Sequence, residues 1–176
     1  MDLDGNMVIA ADRLTVWRGL NDPEILKASI PGCSELTGSA KDGFDAVVTQ
    51  KVGPVKATFR GTVTLTDIVE GKSYRLNGSG KGGAAGFAKG GANVTLEDVD
   101  GGTKLSYKVE AKIGGKMAQL GSRVINGVAI KLAAQFFENF ENAVAPEKEA
   151  PEDSTTEHKK MPKKGFLTWI LGWFKK

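Results

Sequence analysis

The stretch Val55-Lys56-Ala57-Thr58-Phe59-Arg60-Gly61-Thr62-Val63-Thr64-Leu65 is apolar or small at every odd position and polar at every even one. That is the period of two of a strand with one buried face. The same alternation places Leu105, Tyr107, Val109, Ala111 and Ile113 opposite Lys104, Ser106, Lys108, Glu110 and Lys112. It recurs at Tyr74 and Leu76, and at Ala92, Val94 and Leu96. Phe44, Ala46 and Val48 give a weaker instance, interrupted by Val47. Between these runs stand Gly53-Pro54, Glu70-Gly71-Lys72 and Asp100-Gly101-Gly102, residues suited to tight reversals. The pattern predicts a consecutive antiparallel sheet with one apolar and one polar face.

Helical signals flank the sheet. Asp12 is placed to cap a short segment carrying Val16, Trp17 and Leu20, and Asp22-Pro23 starts a second with Ile25 and Leu26. Met117, Leu120, Val124, Val128, Leu132, Phe136, Phe140 and Val144 recur at spacings of three and four, which predicts a long amphipathic helix over about residues 116–144. At 1.5 Å per residue it would run roughly 45 Å and lie across the sheet. The fold class expected is α+β: a curved antiparallel sheet wrapped on a long C-terminal helix, with two short helices after the first strand.

Composition bounds the function. The chain has 176 residues, 40% of them apolar, enough for one buried core. One cysteine, Cys33, excludes an internal disulfide framework and fits a reducing compartment, and one histidine, His158, removes most metal sites and histidine-based triads. The acidic start Met-Asp-Leu-Asp lacks the basic and apolar regions of a secretory signal. The net charge of +3 gives no nucleic-acid signature, and none is expected as a partner. It conceals three blocks: residues 1–145 carry 17 basic and 16 acidic side chains, residues 146–157 carry 1 and 5, and residues 158–176 carry 6 and none.

Glycine accounts for 23 residues, and 7 of them fall in residues 78–91. Gly78-Ser79-Gly80-Lys81-Gly82-Gly83 formally matches G-x-G-x-x-G, but no helical period follows it and neither a βαβ unit nor a P-loop spacing is present. Strand parity instead carries the inward face of Tyr74 and Leu76 onto Gly78, Gly80 and Gly82, and that of Val94 onto Ala92, Gly90 and Ala88. With Gly61 on a neighbouring strand and Gly121 and Gly127 in the predicted helix, both walls look short of side chains. One reading is an apolar cavity lined by Phe44, Val48, Phe59, Gly61, Val63, Gly78, Gly80, Val94, Leu105, Tyr107, Leu120, Val124 and Val128. The other is a packed core whose glycines mark bulges, sheet coiling or close helix approach.

Trp17-Arg18-Gly19-Leu20-Asn21-Asp22-Pro23-Glu24-Ile25-Leu26-Lys27-Ala28-Ser29-Ile30-Pro31-Gly32-Cys33 resembles the Asn-Asp-Pro…Ile-Pro-Gly-Cys stretch of the carbon monoxide dehydrogenase G-subunit family. The glycine-rich strand, Asp100-Gly101-Gly102-Thr103, Gln119-Leu120-Gly121 and Phe136-Phe137 extend the resemblance over about residues 1–145. The family lies in the START-like (SRPBCC) superfamily, whose helix-grip fold agrees with the element order read above. The resemblance implies an accessory protein of a molybdenum-containing carbon monoxide dehydrogenase or a related hydroxylase. It further implies a lipid or quinone carrier, or a recruitment factor, between that enzyme and the membrane quinone pool. Menaquinone or ubiquinone would then be the ligand, with no covalent cofactor. A recruitment adaptor without ligand, and a START-like cyclase or hydrolase, are the alternatives.

Residues 146–160 are rich in proline, glutamate, threonine and lysine without a large apolar residue, and read as a disordered acidic tether. Residues 161–176 follow, with two of the chain's three tryptophans. The apolar run 166–174 would be roughly 14 Å long as a helix, about half of a bilayer's hydrocarbon layer, so it does not span. Phe166, Leu167, Trp169, Ile170, Trp173 and Phe174 would cover a wide face, flanked by Lys163, Lys164, Lys175 and Lys176. That pattern predicts an in-plane interfacial helix on anionic lipids of the inner membrane, hence a cytoplasmic, peripheral protein. The segment would alternatively dock on a protein groove. No catalytic residue and no metal ligand is expected: Cys33 has no histidine near it in sequence, and Glu24, Glu35, Asp42, Asp67 and Glu70 sit at turns or element ends without a general acid–base spacing.

Overall fold

A computed structural model describes residues 1–145. The predicted tether at 146–160 and the predicted interfacial helix at 161–176, with every candidate membrane residue in it, lie outside the described residues.

The elements run β1 (Asp2–Ile9), α1 (Arg13–Gly19), α2 (Pro23–Ser29), β2 (Cys33–Ser39), β3 (Gly43–Val52), β4 (Val55–Val69), β5 (Ser73–Lys81), β6 (Phe87–Val99), β7 (Gly102–Gly114) and α3 (Ser122–Val144). Two short 3₁₀ segments, Gly83–Ala85 and Gly115–Leu120, precede β6 and α3. The seven strands form one antiparallel sheet in the order β1-β7-β6-β5-β4-β3-β2. Strands β2 to β7 are a meander, while β1 pairs with β7, so β1 and β2 lie on opposite edges. The chain between them must cross the sheet's full width, about 29 Å at 4.8 Å per strand spacing. Helices α1 and α2 make that crossing. The arrangement is the expected helix-grip: a curved sheet with α3 as its C-terminal helix and two short helices after the first strand.

Local chemistry fixes the crossing. The Asp12 carboxylate accepts the backbone N–H of Thr15 at 3.0 Å, and the Asp22 carboxylate accepts that of Glu24 at 2.8 Å with Pro23 in the first turn. Each cap satisfies a donor that the helix start leaves open. Arg13 ties α1 to the sheet, donating to Asp98 at 3.0 Å and to the Gly71 carbonyl at 2.7 Å. Asn139 of α3 donates to the Ser29 carbonyl at the end of α2. The buried Thr103 hydroxyl donates to the Ala11 carbonyl at 2.8 Å, which satisfies it at the junction of β1 and α1.

The long helix is shorter than periodicity predicts. Residues 115–120 are a 3₁₀ segment, and α3 starts at Ser122, giving 23 residues, about 34 Å. Gly121 is the cause: its φ of +84° is a left-handed conformation that breaks the helical path. Met117 and Leu120 nevertheless face inward, because the 3₁₀ segment packs on the sheet's end.

Two apolar clusters occupy opposite ends of the inner face. The larger joins Ile9, Val16, Leu105 and Phe140, all essentially inaccessible, with Tyr74, Val94, Leu96 and Val144. The smaller gathers Val52, Ala85 and Met117 with Val55, Phe59, Leu120 and Val128 around them.

Candidate functional site

Between these clusters the inner face does not close. A cavity of about 470 Å³ lies there, within the usual range for small-molecule sites. It has room for roughly fifteen waters at about 30 Å³ each. Its walls give water almost nothing to bind. The strands contribute Leu3, Leu36, Phe44, Val48, Val63 and their neighbours on the same face, and the helical side contributes Leu26, Leu132, Ala133, Phe136 and Phe137. Apart from Gln50 and two tyrosines, every lining side chain is apolar. The Gln50 amide is engaged, donating to the Pro31 carbonyl. An apolar space of this size favours an apolar occupant over water.

The strand register sets the rows of the inner face. Across the sheet, Leu65 of β4 faces Leu76 of β5, Ala92 of β6 and Val109 of β7 in turn. The next row is Phe44, Val63, Gly78, Gly90 and Ala111, and the one beyond it Ala46, Gly61, Gly80 and Ala88. Side chains thus shrink toward the sheet's middle. The glycines divide by cause. A Cβ at Gly61 would stand 2.6 Å from the Ser79 carbonyl oxygen, and one at Gly90 only 2.1 Å from that of Glu110. These two permit the close strand approach that coils the sheet. Gly78 and Gly80 would meet ordinary contacts of 3.4 Å or more.

An aromatic chain runs from the sheet to α3 beside the cavity. Tyr107 stacks on Phe137 with ring centroids 5.3 Å apart, Phe137 meets Phe136 edge-on at 5.1 Å, and Phe136 stacks on Phe140 at 5.8 Å. Such pairs each contribute about 0.5–1.5 kcal/mol beyond burial. The Tyr107 ring passes over Gly5 of β1, where a Cβ would stand 2.6 Å from the phenol oxygen.

Tyr74 carries the polar group of most interest. Its side chain is 5% exposed and meets Trp17 edge-on at 5.6 Å. Its hydroxyl forms no hydrogen bond with any described residue, yet it is not sealed in the interior. The ring is among the walls of the cavity. Burial pushes the phenol well above its ordinary value of 10, so it stays a proton donor at neutral pH.

Of the residues singled out from sequence, Phe44, Val48, Val63, Val94, Leu105 and Tyr107 line the cavity. Phe59, Leu120 and Val128 lie in the smaller cluster beyond it, and Val124 is 40% exposed on the first turn of α3. Gly61 and Gly80 adjoin a shallow depression on the outer face of the sheet, and Gly78 a second one. Gly127 has open space where its side chain would be, so it does not thin the cavity wall. The lining residues that parity missed, among them Leu20, Leu26, Ile30, Pro31 and Leu36, come from the α1–α2 crossing and β2. Their signal was the Asp22-Pro23 helix start with Ile25 and Leu26 behind it.

Among the described residues no cluster of histidine, cysteine and carboxylate side chains has the geometry of a metal site. Cys33 is partly buried and its thiol donates to the Glu35 carbonyl at 3.3 Å; burial raises its pKa. Among the described residues no helix is long and apolar enough to cross a membrane.

Comparison with known proteins agrees with this architecture. A conserved protein from Geobacillus kaustophilus shares 30% identity, with a TM-score of 0.77 over 82% of this chain and 95% of that one. A protein from Rhizobium leguminosarum, at 17% identity and TM-score 0.65, covers 82% of this chain and 93% of its own; one from Chromobacterium violaceum, at 14% and 0.62, covers 84% and 99%. The latter two show the shared fold alone. No curated protein matches. Residues 5–145 match the family described as the G subunit of carbon monoxide dehydrogenase (CoxG). With a fold and a sequence match that both extend over the whole described domain, the chain belongs to the CoxG family, the carbon monoxide dehydrogenase G-subunit family.

Proposed function

We propose that the chain is a non-catalytic carrier whose cavity takes an isoprenoid quinone, of the menaquinone or ubiquinone class. In this reading it serves a molybdenum-containing carbon monoxide dehydrogenase, or a related hydroxylase, at the inner face of the membrane. The observation that carries the reading is the apolar cavity of about 470 Å³, with Tyr74, whose hydroxyl has no partner among the described residues, at its wall. A quinone matches that chemistry on both counts. Its ring and isoprenoid tail bury apolar surface at about 25 cal/mol per Å². Its carbonyl is an acceptor for the Tyr74 hydroxyl, which a plain hydrocarbon lacks. The family's description supports the partner, and the aromatic, lysine-flanked tip at residues 161–176 supports attachment to the membrane.

The residues divide the work. Phe136 and Phe137 of α3 offer aromatic faces to a ring, while Leu65, Leu76, Tyr107 and Val109 form the sheet floor opposite. The tip holds the domain close to its source of quinone, raising the effective concentration for loading.

The test is uptake. The full chain is incubated with menaquinone-loaded vesicles, re-isolated, extracted into organic solvent and measured by mass spectrometry. The expected result is near-stoichiometric quinone, lost in Ala92→Phe, which places a ring between Leu76 and Val109. Absence of quinone from the native chain, or equal amounts in both, overturns the proposal.

A further inference from the structure

The near-neutral domain is strongly polarised along the strands. Residues 47–60, 79–92 and 111–128 contain eight basic side chains and no acidic one, whereas the rest of residues 1–145 carries nine basic against sixteen acidic. The strand register gathers these segments at one end. Lys51 faces Lys56 across the β3–β4 turn, Arg60 faces Lys81, and Lys89 faces Lys112. Gly53 of that turn lies close to Val124 in the first turn of α3, which brings Lys116 and Arg123 to the same end. All eight are exposed, and the one salt bridge among the described residues, Arg13–Asp98, lies elsewhere.

In the middle of this ring, residues 82–87 read Gly-Gly-Ala-Ala-Gly-Phe, a turn without a polar side chain. Gly83 and Ala84 are exposed, and Phe87 and Val124 keep 48% and 40% of their surface in solvent.

We infer that this basic end of the folded domain is a second membrane contact, which seats the Gly82–Phe87 turn among the headgroups of an anionic bilayer. Six of the eight cations are lysines, strongly hydrated point charges suited to a diffuse anionic surface; pairing with a partner protein's carboxylates favours the arginine fork. The remaining domain, net negative, is repelled by the same surface, so the charge separation orients the molecule. Chain length allows both contacts at once. The chain leaves the described domain after Val144, which packs near Gly19 at the far end, about 40 Å away along β7. Residues 146–160 reach at most about 50 Å, enough to bring the tip back to the same bilayer.

The test uses the full chain with Cys33→Ser and Ala84→Cys, labelled at position 84 with an environment-sensitive fluorophore. A matching chain labelled at Ile68→Cys, on the acidic end, is the control. Vesicles of phosphatidylcholine, alone or with phosphatidylglycerol, are added. The label at 84 is expected to shift to the blue only with phosphatidylglycerol and to recover in high salt, with no response at 68. Lys56→Gln/Lys116→Gln/Arg123→Gln should weaken that response about 100-fold, at about five-fold per cation near an anionic leaflet. An unshifted label at 84 while the chain still floats with the vesicles overturns the inference but leaves attachment through the tip standing. An unaltered response in the triple variant, or one to polyglutamate and not to phosphatidylglycerol, also overturns it, the latter marking a protein-docking end. None of these outcomes depends on quinone uptake.

Discussion

Replacing Tyr74 by phenylalanine separates the ligand's share of that residue from the fold's. The hydroxyl makes no hydrogen bond within the described domain, so its removal leaves no protein group unpaired. The ring's contacts with Trp17 and the larger cluster remain. The ligand-free domain should therefore keep its stability to within about 1 kcal/mol. Affinity for a quinone should fall by the net worth of one hydrogen bond, about 0.5–1.5 kcal/mol, or roughly 2- to 12-fold in Kd. Affinity for an isoprenoid hydrocarbon without carbonyls should not change. The phenol's raised pKa sets the pH behaviour: its contribution is fully present below the ordinary phenol value of 10 and is lost only as pH rises beyond it. Binding should accordingly be flat through the neutral range. The assay pairs urea unfolding of the ligand-free chain with titration of a short-chain quinone and its hydrocarbon counterpart. A loss of more than about 1 kcal/mol in unfolding would show that the hydroxyl serves the fold. Equal quinone affinity in both chains would refute its role toward the ligand.

Gly127→Ala should stabilise the domain by about 0.5–1 kcal/mol, because the position is helical with open space beside it, whereas Gly121→Ala should destabilise it by about 1–2 kcal/mol because φ is +84° there; thermal unfolding of the pair reads both signs. Phe140→Ala, at a fully buried position of the larger cluster, should cost about 3–5 kcal/mol by denaturant titration. Asp12→Ala should lower the melting temperature at neutral pH. The lowered pKa of this cap comes from its hydrogen bonds to Thr15, so its contribution is present above the ordinary value of 3.8 and lost as pH falls through the lower folded value. The melting curves of the two chains should then converge in acid.

Strand parity was enough for the sheet because a buried face leaves a period of two in every strand that carries one. It placed Val63, Val94, Leu105 and Tyr107 on the right surface. It did not say where along that surface the sheet closes. Phe59 and Leu120 share the inward face, but they pack into the smaller cluster because the 3₁₀ segment at Gly115–Leu120 folds down on the sheet's end. That segment was hidden inside a helical period, which runs unbroken through Gly121 although the backbone does not. The glycine-rich strands were ambiguous for a related reason. Gly61 and Gly90 serve close strand approach, whereas a Cβ at Gly78 or Gly80 would meet only ordinary contacts, a difference set by neighbouring carbonyl oxygens. The charge polarity was equally invisible as a total, since the register alone brings distant lysines to one end.

Whether the cavity is a quinone site is decided most directly by mass spectrometry of organic extracts from the full chain, isolated from cells that make quinones and washed free of membrane. A quinone carrier should yield an isoprenoid quinone close to one per chain, absent from Ala92→Phe prepared in parallel. Extracts without quinone, from a chain that also takes up none when it is supplied, would contradict it.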